Sequence, residues 1–396
     1  MADFRNKKVK KNTPKVELHS IMSMVVGSYK TGKTRLWKEV TELHYPGNPE
    51  AALLIAFEDG YKTWELENFI PIHEEGSNED EWKVWEVFRK EIVKGLVEEA
   101  TTGRITKLIG IDTVDRCIDA CTAWILRQMN QKYAKVFTSL QEISDATNGS
   151  ANGWTLLYNE LKKQFDALTN AGYGVMALAW TKEKETTLHD GRKFNSIELM
   201  MHNTARKVFE SQSSFTCCLY NEVKILDKSG NELDENLKNK KNKEIGTKFH
   251  ETETMMYFRP SQYIGIAGGR YLDLPEKEVY SAENYLKVFE QAVLSQLKKT
   301  TESVEELKEQ EQVEREEKSK EFAEQQMKID EEKNKEDEKL QVKQIIENIK
   351  SKAKELQKLG IPMENIKATW TGFTVDKIEK VEEAKAILNK LNEMKK

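Results

Sequence analysis

Four short apolar runs set the strongest limit on what this chain can fold into: "IMSMVV" (21–26), "AALLIAF" (51–57), "KLIGID" (107–112) and "GVMALAW" (174–180). Each has the length of one strand and is apolar on both faces, so each needs cover on both sides. Helical spacing over 34–44, 82–100, 115–133 and 153–170 supplies that cover. Strands alternating with helices in this way build an α/β fold, a mostly parallel central sheet flanked by helices. After Trp180 the pattern changes. "FTCCLYNEVKIL" (215–226) and "TMMYFRPSQYIGIA" (254–267) alternate more and flank the polar "DKSGNELDENLKNKKNKE". They read as antiparallel strands around a long excursion, and "SAENYLKVFEQAVLSQL" closes the globular part as an amphipathic helix.

Composition then shifts. From Lys298 to about Lys339 the chain is nearly all Glu, Lys and Gln, with Val304, Leu307, Val313, Phe322, Met327 and Ile329 too sparse for a sustained heptad seam. It reads as a solvated single helix or a partly disordered linker, with a coiled coil as the alternative. Helical periodicity returns at the end, where "LGIP" gives a stop at Gly360 and a new start at Pro362. The expected organisation is a basic arm (1–17), a core domain (18–297), a charged linker (298–340) and a small helical C-terminal module (341–396) suited to holding a partner.

The net charge of −5 argues against a general nucleic-acid coat, although the basic arm Arg5–Lys15 offers a local exception. Cys117, Cys121, Cys217 and Cys218 form no pair of C-x-x-C units and read as reduced, buried thiols of a cytoplasmic protein. No run reaches the roughly 18 apolar residues of a membrane span. Trp82, Trp85 and Phe88 stand at helical spacing and read as core, and His189 and His202 as surface residues.

"GSYKTGKT" (Gly27, Ser28, Tyr29, Lys30, Thr31, Gly32, Lys33, Thr34) fits G-x-x-x-x-G-K-T and lies between the first strand and the first helix. That context lets backbone N–H groups and a helix N-terminus converge on a phosphate. Gly27 and Gly32 let the backbone curl; Lys33 is placed to reach terminal phosphates, and the Thr34 hydroxyl to ligate Mg²⁺. Asp112, at the carboxyl end of the third run, is the expected carboxylate for the metal of an Mg²⁺–ATP complex, with Asp115 as a helix cap. Glu58 and Asp59 follow the second run directly and offer a base for hydrolysis.

A glutamate directly after the second strand, rather than beside Asp112, resembles the RecA-like P-loop ATPases. "E-D-G-Y-K" at 58–62, "D-T-V-D" at 112–115, "NGWTLLYNELKKQFDAL" and "GGRYLDLPEKEVYSAENYLKVFEQAV" look like a phage-encoded group of these proteins, over roughly residues 18 to 295. The best-known members are ATP-dependent single-strand annealing proteins that cooperate with single-stranded-DNA-binding protein. The resemblance implies a RecA-like core, Glu58 as the catalytic glutamate, a homo-oligomer, and a phage protein acting in the cytoplasm of its host. Its γ-phosphate sensor falls at Trp180 or Thr181, where His or Gln is more usual. The DNA loop falls on the segment after it, with Lys182, Lys184, Arg192 and Lys193 as contacts to single-stranded DNA. Arg270, ahead of Arg259, is the expected arginine reaching a neighbour's nucleotide. Two rival functions remain open at this level. One is a nucleotide-switched adaptor or loader that recruits a replication protein through its helical tail; the other is a small-molecule kinase, for which the chain carries no acceptor-binding signature.

Overall fold

The computed structural model describes residues 12–73, 80–147, 149, 151–187, 189–226, 249–261, 263–297, 303–358, 360–368 and 381–393. The polar excursion 227–244 and most of the basic arm lie outside these residues. In chain order the elements are β1 (Met22–Gly27), α1 (Lys33–His44), β2 (Ala52–Ala56), β3 (Phe69–Pro71), α2 (Glu81–Val87), α3 (Val93–Thr102), β4 (Leu108–Asp112), α4 (Val114–Tyr133), α5 (Leu140–Ala146) and α6 (Gly153–Asn170). They continue with β5 (Gly174–Thr187), β6 (Lys193–Leu199), α7 (Asn203–Gln212), β7 (Ser213–Leu226), β8 (Phe249–Tyr257), β9 (Gly268–Gly269), β10 (Lys277–Val279) and α8 (Ala282–Leu297). Last come α9 (Val304–Lys358), α10 (Met363–Lys367) and α11 (Val381–Glu393).

The main sheet runs β10-β8-β7-β1-β5-β4-β2-β3. From β7 to β3 every neighbouring pair is parallel, as the apolar runs required. β1 lies between β5 and β7, with Gly27 level with Trp180 on one side and Leu219 on the other. The chain leaves β1 for the far strand β2 and works back through β4 to β5, then crosses to β7. The chain order therefore reverses beside β1, and the carboxyl end of a strand at such a reversal is the place where open α/β sheets bind ligands. One face of the sheet packs on α1 and α8, whose Leu36, Trp37, Val40, Val288 and Phe289 share a core with Val25, Leu54 and Phe215. Gly110 of β4 is small because Trp37 lies over it: a Cβ there would come within 2.9 Å of the indole. Its neighbours Ile109 and Ile111 point to the opposite face by strand alternation and are fully buried.

Three features differ from the sequence expectations. β7 is not simply antiparallel: it pairs parallel to β1 and antiparallel to β8, which fits the unbroken burial of Cys217, Cys218 and Leu219. The strand expected over 254–267 starts earlier and ends at Tyr257, before Pro260 removes a ladder donor. The segment after Trp180 is a hairpin, not a loop. β5 runs on to Thr187 and returns antiparallel as β6, through a turn in which the Asp190 side chain accepts from the Arg192 amide at 3.0 Å and Gly191 takes φ 85°. Asp-Gly between alternating residues is a hairpin signal, and charge had masked it.

The chain divides into two compact units, Met1–Lys320 and Glu321–Lys396. The first runs past Leu297, where the sequence had placed the end of the globular part. The opening turns of α9 belong to it. Leu307 is buried in the core, which contributes about 1.5–3 kcal/mol. Glu311, 4% exposed, accepts from the Val16 amide at 2.5 Å and from Ser20 Oγ at 2.6 Å. Arg315 donates to Ser20 Oγ. Arg104 donates to Gly172 O, Ala171 O and Ser319 Oγ. In the second unit, Val342, Ile346, Ile349, Ala353 and Leu356 of α9 cluster with Ile366, Ala384, Ile387 and Leu391. Their alternating spacing of four and three is that of a helix-packing seam. No described helix is long and apolar enough to cross a membrane.

Candidate nucleotide site

The loop between β1 and α1 is shaped by its glycines and held from three sides. A Cβ at Gly27 would lie 2.5 Å from Thr31 Oγ1 and 3.0 Å from Leu219 O, so only glycine lets the loop curl back over the strand. Gly32 takes φ 92° at the N-cap of α1. Lys30 also adopts a positive φ, 62°. Lys33 is buried, and its Nζ donates to Gly27 O at 3.0 Å and Ser28 O at 2.9 Å, which fixes the ammonium inside the loop. Burial lowers its pKa, while Asp112 and Glu58 act in the opposite sense. The first-turn N–H groups of α1 have no intrahelical acceptors.

Three separate segments meet beside this loop. Thr34 Oγ1 donates to Asp112 Oδ2 at 2.6 Å. A Cβ at Gly60 would stand 3.2 Å from Thr34 Oγ1 and 3.7 Å from both Asp112 Oδ2 and Glu58 Oε1. The ends of β2 and β4 are joined by the Phe57 and Glu58 amides, which both donate to Asp112 O. Glu58 is half-buried and faces this point, whereas Asp59 is exposed and pairs with Lys62 at 2.8 Å. That difference separates two carboxylates the sequence had left side by side.

The electrostatics are those of a site short of positive charge. Burial, followed by the neighbouring Asp112, pushes Glu58 up to about 7. Burial raises Asp112 to about 6, against the opposing Thr34 hydrogen bond and Lys33 charge. Asp112 is fully buried, yet among the described residues its Oδ1 has no hydrogen-bond partner. A buried carboxylate oxygen is tolerated in this state only where something compensates its burial. Asp112 and Thr34, two oxygen donors on adjacent elements, fit the coordination of Mg²⁺.

Other predicted residues are placed differently. Thr181 is buried in β5, in register with Leu199; among the described residues its hydroxyl forms no hydrogen bond. Arg270 does not belong to this site within one chain. It sits at the amino ends of the parallel strands, where its amide donates to Ser214 O and its guanidinium to Ser211 O. On the hairpin, Lys184 pairs with Glu198 at 3.2 Å, Arg192 with Asp190 at 2.7 Å and Lys193 with Glu185 at 2.7 Å, while Lys182 faces Glu198 in register.

Sequence reasoning missed several groups. Asp115 is no helix cap: its Oδ2 accepts from the Trp180 amide at 2.7 Å, tying α4 to β5, and burial raises it to about 6. Thr113, fully buried, is 3.5 Å from Glu58 Oε2. Tyr29 packs against Trp180, ring centroids 4.7 Å apart. Tyr280 donates to Gly32 O at 3.0 Å, with Arg35 5.3 Å from its ring. No local signal marks Tyr280, because its partner is far away in sequence.

A strand, a glycine-shaped loop carrying Lys33 and Thr34, and a buried strand-end aspartate bonded to that threonine define a P-loop nucleotide-binding protein of the ATPase class. A family profile described as an AAA domain matches residues 19–264, and the chain belongs to that family. No curated protein matches the chain. The family implies ATP as ligand, usually with Mg²⁺, and the donor set around Asp112 fits both.

Proposed function

We propose that this chain hydrolyses ATP as a RecA-like protein of phage type and works on single-stranded DNA in recombination or replication, in the cytoplasm of the host cell. The observation that carries the hydrolytic part is the convergence of Thr34, Asp112 and Glu58 beside the loop holding Lys33. In this reading Lys33 binds the terminal phosphates, and the Gly27–Thr34 backbone cradles them. Thr34 and Asp112 would hold Mg²⁺, which would offset phosphate charge. Glu58 takes the proton of the attacking water, and Thr113 steadies its carboxylate. Thr181 and Trp180 stand where β5 leaves the sheet and pass the state of the site to the hairpin. The RecA-like assignment is supported by the strand order and by Glu58 following directly after β2 rather than standing next to Asp112 in the sequence.

The DNA part rests on Lys182, Lys184, Arg192 and Lys193 of the hairpin. Self-assembly would present Arg270 to a neighbouring chain, and the helices after Glu321 would recruit single-stranded-DNA-binding protein or another replication protein. The pairing of three hairpin cations with acidic neighbours favours the second reading, a nucleotide-switched adaptor or loader. ATP turnover measured alone and with single-stranded DNA, duplex DNA and RNA separates the two. Stimulation by single strands is the expected result. Slow, unstimulated turnover together with tight binding of a replication protein would establish the adaptor.

A further inference from the structure

Away from the nucleotide site, three metal-ligating side chains lie together that the chemistry above does not use. Glu17 and His19 belong to the segment entering β1, and His44 is the last residue of α1. Their donor atoms lie within 4.8 Å of one another. Glu17 Oε2 stands 3.7 Å from His19 Nδ1 and 3.7 Å from His44 Nε2. Both separations are too long for hydrogen bonds. They approach the spacing of donors around one tetrahedral zinc, about 3.3–3.5 Å for bonds of about 2.0–2.1 Å. We propose that Glu17, His19 and His44 form a zinc-type site with three protein donors and one open position, stapling the segment that enters β1 to the end of α1.

The surroundings prepare the donors. Glu17 Oε1 lies 3.5 Å from Lys308 Nζ, which leaves Oε2 for the imidazoles. The Tyr45 hydroxyl is 3.0 Å from His19 Nδ1; with the hydroxyl donating, Nδ1 keeps the lone pair a metal needs, and binding exchanges this hydrogen bond for a metal bond. Burial and nearby cations, Arg315 first, hold the His19 pKa down at about 2, and burial also lowers that of His44. The same cations oppose any divalent ion. That cost selects a metal with strong imidazole preference, zinc over magnesium or calcium.

The test uses the full-length, nucleotide-free protein after chelator treatment, titrated with Co²⁺ as a spectroscopic surrogate for zinc. The expected result is visible d–d absorption of a tetrahedral site that saturates at one equivalent, is quenched by Zn²⁺, and is matched by a rise in Tm with Zn²⁺. His44→Ala and Glu17→Gln should abolish the bands while far-UV circular dichroism stays unchanged. Should His44→Ala fail to fold, Glu17→Gln decides. Asp112→Asn should leave the bands intact, which separates this site from the nucleotide site. Wild-type protein without saturable bands, bands that survive in the folded variants, or thiolate charge-transfer absorption from the cysteines would each overturn the assignment.

Discussion

The two edges of the parallel sheet are both polar and buried, and they treat their polar groups in opposite ways. At the carboxyl edge, Asp112 and Asp115 each keep an oxygen without a partner among the described residues. At the amino edge, Glu311 is occupied by Val16 and Ser20, and Arg104 has three acceptors. A buried group left open is costly unless a ligand completes it, whereas a saturated network fixes structure. The first edge is therefore built for chemistry and the second for stability, and substitutions should divide along that line.

The largest expected effect is Lys33→Ala, which should abolish ATP turnover in a protein that still folds, with Tm lowered only by the loss of the Nζ hydrogen bonds to Gly27 O and Ser28 O. A folded variant that still turns over ATP would break the comparison at its functional end. At the other edge, truncation after Leu297 should cost about 3–5 kcal/mol in denaturant unfolding, from Leu307 burial and the charged hydrogen bonds of Glu311. Truncation after Lys320 should cost the first unit nearly nothing, so equal stabilities would show that the docked turns are ornamental.

Glu58→Gln should retain Mg²⁺–ATP and lower turnover by about 10²-fold or more, the scale of a lost general base. If Asp59→Asn is the more damaging change, the assignment of the two carboxylates is reversed. Neutralising Lys182, Lys184, Arg192 and Lys193 together should weaken single-strand binding. It should also flatten the slope of log affinity against log salt by about 0.7 for every phosphate that the hairpin no longer neutralises. Basal turnover should survive; an unchanged slope would remove the hairpin from the DNA reading. The smallest effect is Tyr280→Phe, which deletes the hydrogen bond to Gly32 O. A loss of about 0.5–1.5 kcal/mol is expected, read as a lowered Tm.

The same contrast explains what could be read from the sequence. The carboxyl edge is assembled from strand ends, and a strand end is local: "GSYKTGKT", Glu58 and Asp112 each follow directly on an apolar run. Their convergence beside Gly60 needed only the parallel order of β1, β2 and β4. The amino edge joins Arg104 to Ser319 and Val16 to Glu311, pairs with no shared local pattern. In a run of Glu, Lys and Gln, nothing distinguishes Glu311 from its solvated neighbours until its two donors are placed. Asp115 escapes a local reading for a related reason. Its position suits a cap, but its partner is the Trp180 amide on another strand.

The hydrogen bonds to Glu311 also set an order of events during synthesis. Val16 and Ser20 leave the ribosome roughly 290 residues before the carboxylate that receives their hydrogens, an interval of roughly 15–60 s at about 5–20 residues per second. Tyr280 likewise emerges 248 residues after Gly32. A nascent chain halted ahead of residue 280 thus carries the complete phosphate-binding sequence on a sheet whose amino edge is still unsealed. Nucleotide added to stalled chains of increasing length should be retained firmly only once α8 and the first turns of α9 have cleared the exit tunnel.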